Sequence, residues 1–264
     1  MLFRSKYLTI SFAIIALLFA YGCKDDEPTN PGDPNQNKPK FVFKTGSYWV
    51  FDNYDLDEAN VRDLNSKYTD TTVVSGTKVL FGRTATIFTT YSDGDSTETY
   101  YAVDSNKLYV TSEFIDPNLG IDIPIEIPAE TWFLIADYDQ VEWSLFSQDI
   151  KDFEIEINTI KAKVSGTFEI KGKKITSQSV KWGADESKNI DATNFQLIYS
   201  FNGTAIVFGL PAAFSILITN NIYHNTSAGI VKAKRESQKI KVASFDLQTI
   251  YGFETVLLDY MFIN

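Results

Sequence analysis

The amino-acid sequence predicts an all-β body with minor helix, built as one large curved antiparallel sheet that forms a half-barrel or a barrel. Apolar and polar residues alternate over short runs, as at Phe153, Ile155 and Ile157, which is typical of a strand with one buried face. Tight-turn pairs such as Asp93-Gly94 separate these runs. A long antiparallel sheet must curl or close to protect its edges. A two-sheet sandwich is the third arrangement that the pattern allows.

The first 22 residues have the layout of a secretory signal peptide. Arg4 and Lys6 provide a basic start, and residues 8–20 form an uncharged, mostly apolar run. This run is shorter than the roughly 20 residues that a transmembrane helix needs. We therefore expect residues 1–22 to be removed during export.

Cys23 is the only cysteine of the chain, and it directly follows Gly22 at the end of the apolar run. This arrangement resembles the lipobox of bacterial lipoproteins, although Ala20 and Tyr21 replace the leucine and the small residue that are usual there. The resemblance implies that Cys23 receives a diacylglycerol and becomes the new N-terminus. Several acyl chains on one residue anchor a protein firmly, because each buried CH₂ contributes about 0.8 kcal/mol.

Lys24, Asp25 and Asp26 follow the cysteine at once. One basic residue and then acids at this position resembles the export signal of Bacteroidota surface lipoproteins. The resemblance implies a protein that is lipid-anchored in the outer membrane and faces the cell exterior. A charged, solvated start to a linker is the alternative interpretation.

Residues 24–40 contain no apolar side chain larger than proline, and they hold four of the eight prolines of the chain. Such a segment cannot bury enough surface to offset its ordering entropy. Residues 23–40 are therefore predicted to be a lipidated, disordered tether, and residues 41–264 a single all-β domain. The formal net charge is −10, and loss of Arg4 and Lys6 with the signal peptide makes it −12. This acidity argues against a nucleic-acid partner.

The first half of the body is predicted to alternate strands with tight turns. A strand at residues 48–51 follows the turn signal Gly46-Ser47, and residues 52–70 form a polar loop. Between residues 71 and 114, four two-residue turn signals separate the β-rich runs: Ser75-Gly76, Phe81-Gly82, Asp93-Gly94 and Ser105-Asn106.

The centre of the chain is less regular. Residues 121–128 alternate isoleucine with acids and prolines, which predicts an extended edge, because proline cannot donate to a sheet ladder. Residues 129–136 are predicted to form either a short helix or a strand. Further along, turns are predicted at residues 164–167 and 171–173. Asn202-Gly203 has the strongest signal for a type I′ hairpin.

Two segments resemble Bacteroidota lipoproteins whose layout is similar to the LolA/LolB-like fold. They are FKTGSYWVF at residues 43–51 and YHNTSAGIVK at residues 223–232. The resemblance implies a curled antiparallel sheet whose concave face holds acyl chains in the carriers of that family. Thr226-Ser227-Ala228 departs from the glycine-containing approach that is usual before the late strand.

Few residues of the body are candidates for chemistry. Because His224 is the only histidine, a histidine-rich zinc site is excluded, and we interpret His224 as a polar residue at a strand end. Asp93, Asp95 and Glu98 place three carboxylates at one turn, which makes them candidates for binding calcium.

Thr71 and Ser96 each follow an aspartate, in a pattern that resembles the O-glycosylation sites of Bacteroidota. The resemblance implies that both hydroxyls are acceptors for glycan. No catalytic residue and no cofactor is predicted.

We therefore expect a non-enzymatic cell-surface lipoprotein whose body is a binding or scaffold module on the outer membrane. Its partners would be the membrane, through the acyl chains, and a hydrophobic ligand, a glycan or an outer-membrane protein. A lipid carrier of LolA/LolB-like type is an alternative, and it would need a hollow concave face lined by apolar side chains. An extracellular glycan hydrolase is the second, and it would need two facing carboxylates, about 5 Å or 6.5–9.5 Å apart.

Replacing Lys24, Asp25 and Asp26 together with alanine tests the export signal. We expect acylation and abundance to be unchanged, because these residues lie too near the lipid to join the fold. The body should move from the outside to the periplasmic face, and protease added to intact cells measures this by release of the body. Equal release from the wild type and the triple variant would show that the charges are only a solvated linker.

Overall fold

A computed structural model describes residues 40–115, 119–121, 123–157, 160–242 and 245–261. Almost all of this is β-strand, as predicted. The strands are β1 (Tyr48–Leu56), β2 (Tyr68–Leu80), β3 (Arg83–Ser92), β4 (Asp95–Asp104), β5 (Lys107–Thr111), β6 (Trp132–Asp137), β7 (Glu142–Ile157), β8 (Ile160–Trp182), β9 (Lys188–Val207), β10 (Leu210–Asn225), β11 (Gly229–Arg235), β12 (Gln238–Val242), β13 (Phe245–Ile250) and β14 (Gly252–Met261).

Helix is confined, in the described ranges, to one 3-10 turn at Ser112–Phe114. Residues 129–136 were predicted to form either a short helix or a strand, and they contain most of strand β6. No described helix has the length and apolar character needed to cross a membrane. The minor helix that the sequence predicts is therefore a single 3-10 turn in the described ranges.

Twelve strands follow one another in an antiparallel sheet, in the order β6-β5-β4-β3-β2-β1-β14-β11-β10-β9-β8-β7. Two meanders, β1 to β6 and β7 to β11, are joined where the first strand pairs with the last. The hairpin of β12 and β13 lies beside the first part of β10. The sheet is a single layer that curls back on itself.

The two edges of this sheet, β6 and β7, approach each other, so the sheet is nearly closed into a barrel. Trp143 Nε1 on β7 donates a hydrogen bond to Leu134 O on β6 at 2.6 Å. Beside it, Lys174 N donates to Val141 O at 2.8 Å. Near-closure removes most of the unpaired edge that a sheet of this size would otherwise expose.

The isoleucine-proline segment lies next to the β7 edge and forms no strand in residues 123–128. Its isoleucines pack against the core. The side-chain amide of Gln148 on β7 accepts from Glu126 N at 2.8 Å and donates to Pro124 O at 3.1 Å. One side chain thus satisfies backbone groups that the prolines prevent from joining a ladder.

The inner face of the sheet is filled by large apolar side chains. Trp49, Phe88, Phe168, Phe195 and Phe201 have no measurable exposure and belong to one continuous core. Phe88 contacts Tyr101 edge-on, with ring centroids 5.1 Å apart, which is a favourable aromatic geometry. The core therefore holds the curled sheet together from inside.

The predicted hairpin at Asn202-Gly203 is wrong, because β9 runs unbroken through both residues. Gly203 pairs with Gly166 of β8. A Cβ on Gly203 would lie 2.1 Å from Ser165 O and 2.7 Å from Gly166 Cα. The glycine is needed for a close approach of two strands and not for a turn.

The turns predicted at residues 164–167 and 171–173 are wrong for a related reason, since β8 is continuous from Ile160 to Trp182. Gly172 lies against the indole of Trp143, and a Cβ there would lie 2.0–2.2 Å from three indole atoms. The predicted break at Ser75-Gly76 is a bulge within β2.

We expect Gly172→Ala to lower the free energy of unfolding by about 1–3 kcal/mol, because the added methyl group overlaps a buried indole. The hydrogen bond from Trp143 to β6 prevents the ring from moving away. Urea unfolding measures the loss.

Gly76→Ala is the matched control, since a Cβ at Gly76 meets nothing within 4 Å. Its free energy of unfolding should change by less than about 0.5 kcal/mol. Equal losses in both variants would contradict the role of the Gly172–Trp143 contact.

Candidate functional site

The residues predicted to anchor and address the protein lie outside the described residues: Cys23, Lys24, Asp25 and Asp26. The division into signal peptide, tether and body stays a prediction. The described chain begins at Lys40, and Phe41 is already buried in the core.

His224 is buried where the chain enters the body. The Tyr138 hydroxyl is hydrogen-bonded to His224 Nδ1, and the Phe41 ring lies 4.7 Å from the imidazole. Burial lowers the pKa of His224 to about 3 and raises the pKa of Tyr138. His224 Nε2 has no hydrogen-bond partner among the described residues. His224 lies near the end of β10, as predicted, and burial keeps its imidazole neutral.

Asp93, Asp95 and Glu98 do not converge on one point. Asp93 occupies the β3–β4 turn, where it and Gly94 have the positive φ angles of the predicted type I′ hairpin. Asp95 and Glu98 are three positions apart on β4, so their side chains leave opposite faces. Within the described ranges, no three His, Cys, Asp or Glu side chains are grouped to hold a metal ion. This turn therefore offers no three-carboxylate calcium site.

Thr71 and Ser96, the predicted glycan acceptors, lie on one row across three strands. Thr71 of β2 pairs with Tyr91 of β3, which pairs with Ser96 of β4. Tyr91 and Ser96 are exposed, and Thr71 is half-buried. Their modification stays a prediction.

A buried polar cluster crosses the inner faces of β14, β1 and β2. Thr255 Oγ1 donates to Asn53 Oδ1 at 2.7 Å, and Asn53 Nδ2 donates to Asp70 Oδ2 at 2.9 Å. Burial raises the pKa of Asp70 to about 6, while the hydrogen bond from Asn53 acts to lower it. Asp70 Oδ1 has no partner among the described residues. This carboxyl is too deeply buried to reach a substrate.

An ion cluster on the outer face fastens the β8–β9 turn to the sheet. Arg62 bonds Glu186 in that turn and Glu254 on β14, and Lys232 on β11 also bonds Glu254. Burial acts to raise the pKa of Glu254, but the hydrogen bonds from Arg62 and Lys232 outweigh it, so this pKa lies below its ordinary value. A glycosidase general acid needs a raised pKa. The cluster therefore links the turn to the sheet, and Glu254 does not have the raised pKa of a general acid.

The β9–β10 hairpin ends in an exposed apolar segment, residues 206–211, which we call the tip. Phe208 and Gly209 have φ angles of 51° and 79°, the signs of a type I′ turn. Phe208 is 86% exposed, Leu210 71% and Ile206 44%. The tip combines the most exposed aromatic residue of the described chain with an unusual backbone conformation.

The β2–β3 hairpin provides an internal comparison, because Phe81-Gly82 adopts the same kind of turn. The Phe81 ring lies 6.4 Å from the Trp132 ring. No described aromatic ring packs against Phe208. The phenyl group at the tip is thus presented to the outside without support from the body.

The tip is not predicted from the sequence, because Asn202-Gly203 carries the stronger hairpin signal. One signal could have found it. Phe208-Gly209 repeats the Phe81-Gly82 pair that was correctly interpreted as a turn.

No protein-family model matches the chain, and no curated protein matches it. Among solved structures, the fold is similar to the crystal structure of a candidate lipoprotein from Parabacteroides distasonis. The TM-score is 0.43 and the identity 10%, over 86% of this chain and 100% of the other. This likeness is too distant to assign a family or a function.

The raised pKa of Asp70 makes stability depend on pH between about 4 and 6. Because the folded-state value of about 6 lies above the ordinary 3.8, the carboxyl stabilises the fold while protonated, and this contribution is lost as the pH rises through 6. We expect Asp70→Asn to raise the free energy of unfolding by about 1–3 kcal/mol at pH 8 and to have little effect near pH 4. Urea unfolding at both pH values measures this.

Asp104→Asn is the control, because Asp104 is exposed at the end of β4. It should leave the difference between the two pH values unchanged. An Asp70→Asn variant that is less stable at pH 8 than the wild type would contradict the prediction.

Proposed function

We propose that the chain is a non-enzymatic lipoprotein of the bacterial outer membrane, anchored by acylated Cys23 and facing the cell exterior. Its body is a binding or scaffold module that acts through its outer surface. The lone cysteine at the end of the signal-peptide core supports the anchor, and Lys24, Asp25 and Asp26 support the outward orientation.

The observation that carries the proposal for the body is its filled interior. A cavity wide enough for an acyl chain would leave the side chains around it open to water. Trp49, Phe88 and Phe168 on the inner face have no exposed surface. Recognition therefore belongs to the outside of the sheet and to its hairpin ends, and a hydrophobic-ligand carrier of LolA/LolB-like type is disfavoured.

The two buried carboxyls with shifted pKa values, Asp70 and Glu254, give no support to an extracellular glycan hydrolase. Asp70 has the raised pKa of a general acid, but it is buried between strands. Glu254 is ionised and bonded to two cations. Neither residue combines a raised pKa with access to a substrate, which the hydrolytic mechanism requires.

The proposed tether leaves the body at one end of the sheet. Phe41 contacts His224, near the last residue of β10, whereas the tip lies at the first residue of the same strand. The fourteen positions between Leu210 and His224 correspond to about 46 Å of extended chain. Phe41, where the proposed tether joins the body, and the tip therefore lie at opposite ends of β10.

Cys23→Ser tests the anchor. We expect the variant to lose its acyl mass and to move from the membrane fraction to the soluble fraction, because the thiol is the acylation site and no firm hold remains without acyl chains. Mass spectrometry of the N-terminal peptide and cell fractionation measure the two effects.

Asn35→Ser, a polar exchange within the proposed tether, is the matched control and should stay membrane-bound. Wild-type protein without acyl mass on Cys23 would overturn the proposal.

A further inference from the structure

We propose that Phe41, Tyr138 and His224 form an acid-sensitive latch. At neutral pH the latch holds residues 40–44, which we call the entry segment, against the end of β10. Protonation of the His224 imidazole in acid opens the latch and frees this segment. The inference concerns described residues alone, and it goes beyond the proposed function without depending on it.

The entry segment is held by side chains and not by a sheet ladder. Its described backbone hydrogen bonds begin only at Lys44, whose carbonyl oxygen accepts from Ser47 N at 3.1 Å. Before that point, the rings of Phe41 and Phe43 pack against the core. A segment held in this way is among the first parts of a fold to open locally. Its attachment therefore depends strongly on what Phe41 contacts.

The imidazole of His224 is enclosed by groups that suit its neutral form. The residue is 1% exposed, and the Phe41 ring lies 4.7 Å from the imidazole and 5.5 Å from the Tyr138 ring. The Tyr138 hydroxyl is hydrogen-bonded to Nδ1, whereas Nε2 has no hydrogen-bond partner among the described residues. A protonated imidazole donates from both nitrogens. The closed latch therefore cannot satisfy an imidazolium.

Charged groups next to the latch do not compensate an imidazolium either. They are Lys40 and Lys44 on the entry segment, Asp137 and Asp139 beside Tyr138, Lys174 on β8 and Asp191 on β9. Asp137 instead accepts from Asp139 N at 2.8 Å, and Lys174 donates to the carbonyl oxygen of Tyr138. The two residues that pair with His224 across the sheet, Thr193 and Ile230, are uncharged. Burial is accordingly the cause of the lowered pKa of His224.

Protonation and opening are coupled with a defined sign. Burial lowers the pKa of His224 from 6.5 to about 3 while the latch is closed, so the closed state binds fewer protons than an open state in which water reaches the ring. The closed state has its full advantage above pH 6.5 and loses it as the pH falls. The opening equilibrium should therefore be about a hundredfold more favourable at pH 4.5 than at pH 7.5.

Two measurements on one protein test the coupling. Because His224 is the only histidine of the chain, isotope labelling of histidine gives a single imidazole to follow by NMR. A nitroxide on Lys40→Cys reports the mobility of the entry segment, in residues 23–264 with Cys23→Ser so that no other thiol is labelled. We expect a neutral imidazole and an immobile label at pH 7.5. Both should change together below pH 6.5, with the same midpoint.

Phe41→Ala tests whether this ring keeps water from the imidazole. We expect the pKa of His224 to rise toward its ordinary 6.5, because the charged form becomes hydrated once the ring is gone. Phe43→Ala is the matched control, since it removes the same ring from the same segment, but Phe43 packs edge-on against Phe88 at 4.9 Å. It should shift the pKa of His224 much less.

His224→Asn tests the proton itself, because asparagine does not titrate and still offers an acceptor to Tyr138. Its label should have the same mobility at pH 7.5 and 4.5. Asp70 cannot cause release in acid, since it stabilises the fold while protonated.

The NMR and nitroxide titrations with native His224 decide the question even where His224→Asn does not fold. An imidazole that titrates while the label stays immobile, a label that becomes mobile while the imidazole stays neutral, or no change in either down to pH 3 would overturn the inference. Equal shifts of the His224 pKa in Phe41→Ala and Phe43→Ala would remove Phe41 from the latch and overturn it as well.

Discussion

The pairing of the first strand with the last is the constraint on which the rest of the structure depends. β1 and β14 join over their whole lengths, from Tyr48–Met261 to Leu56–Gly252. Without this contact the two meanders would each expose an open edge, which is a liability for any sheet. The pairing merges them into one sheet whose far edges then meet beside Trp143. The pairing of the first and last strands of the body thus determines that the sheet closes.

Closing the sheet places two requirements on its inner face. Strands β8 and β9 must approach closely at one point, which Gly203 and Gly166 allow, and the enclosed space must be filled, which the aromatic side chains do. Around these rings the inside of the sheet is a packed core. This packing is the reason why we propose that recognition belongs to the outer face and the hairpin ends.

Two residues are held in states that do not favour the stability of the isolated body. Asp70 is a carboxyl buried in the polar cluster of the inner face, where burial disfavours its charged form. Phe208 is a phenyl group held outside by a strained turn. The first is compensated by hydrogen bonds within the molecule, through Asn53. No described aromatic ring packs against the second, so its exposure has no such compensation among the described residues.

The sequence by itself determined the fold class and most of the strands, because alternation and positive-φ turns such as Asp93-Gly94 are local properties. It also supplied the whole argument for the anchor, since Cys23 and the residues after it act through local motifs. Only the tertiary structure decided the role of Gly203 and Gly172, because a glycine that turns the chain and one that admits a neighbour are identical in sequence. The tip followed from the same decision: once β9 continues through Gly203, the turn must occur at Phe208. Which of the two roles a glycine takes depends on the residue opposite it in the sheet. That pairing joins residues that are distant in the chain, so it cannot be read from the local sequence.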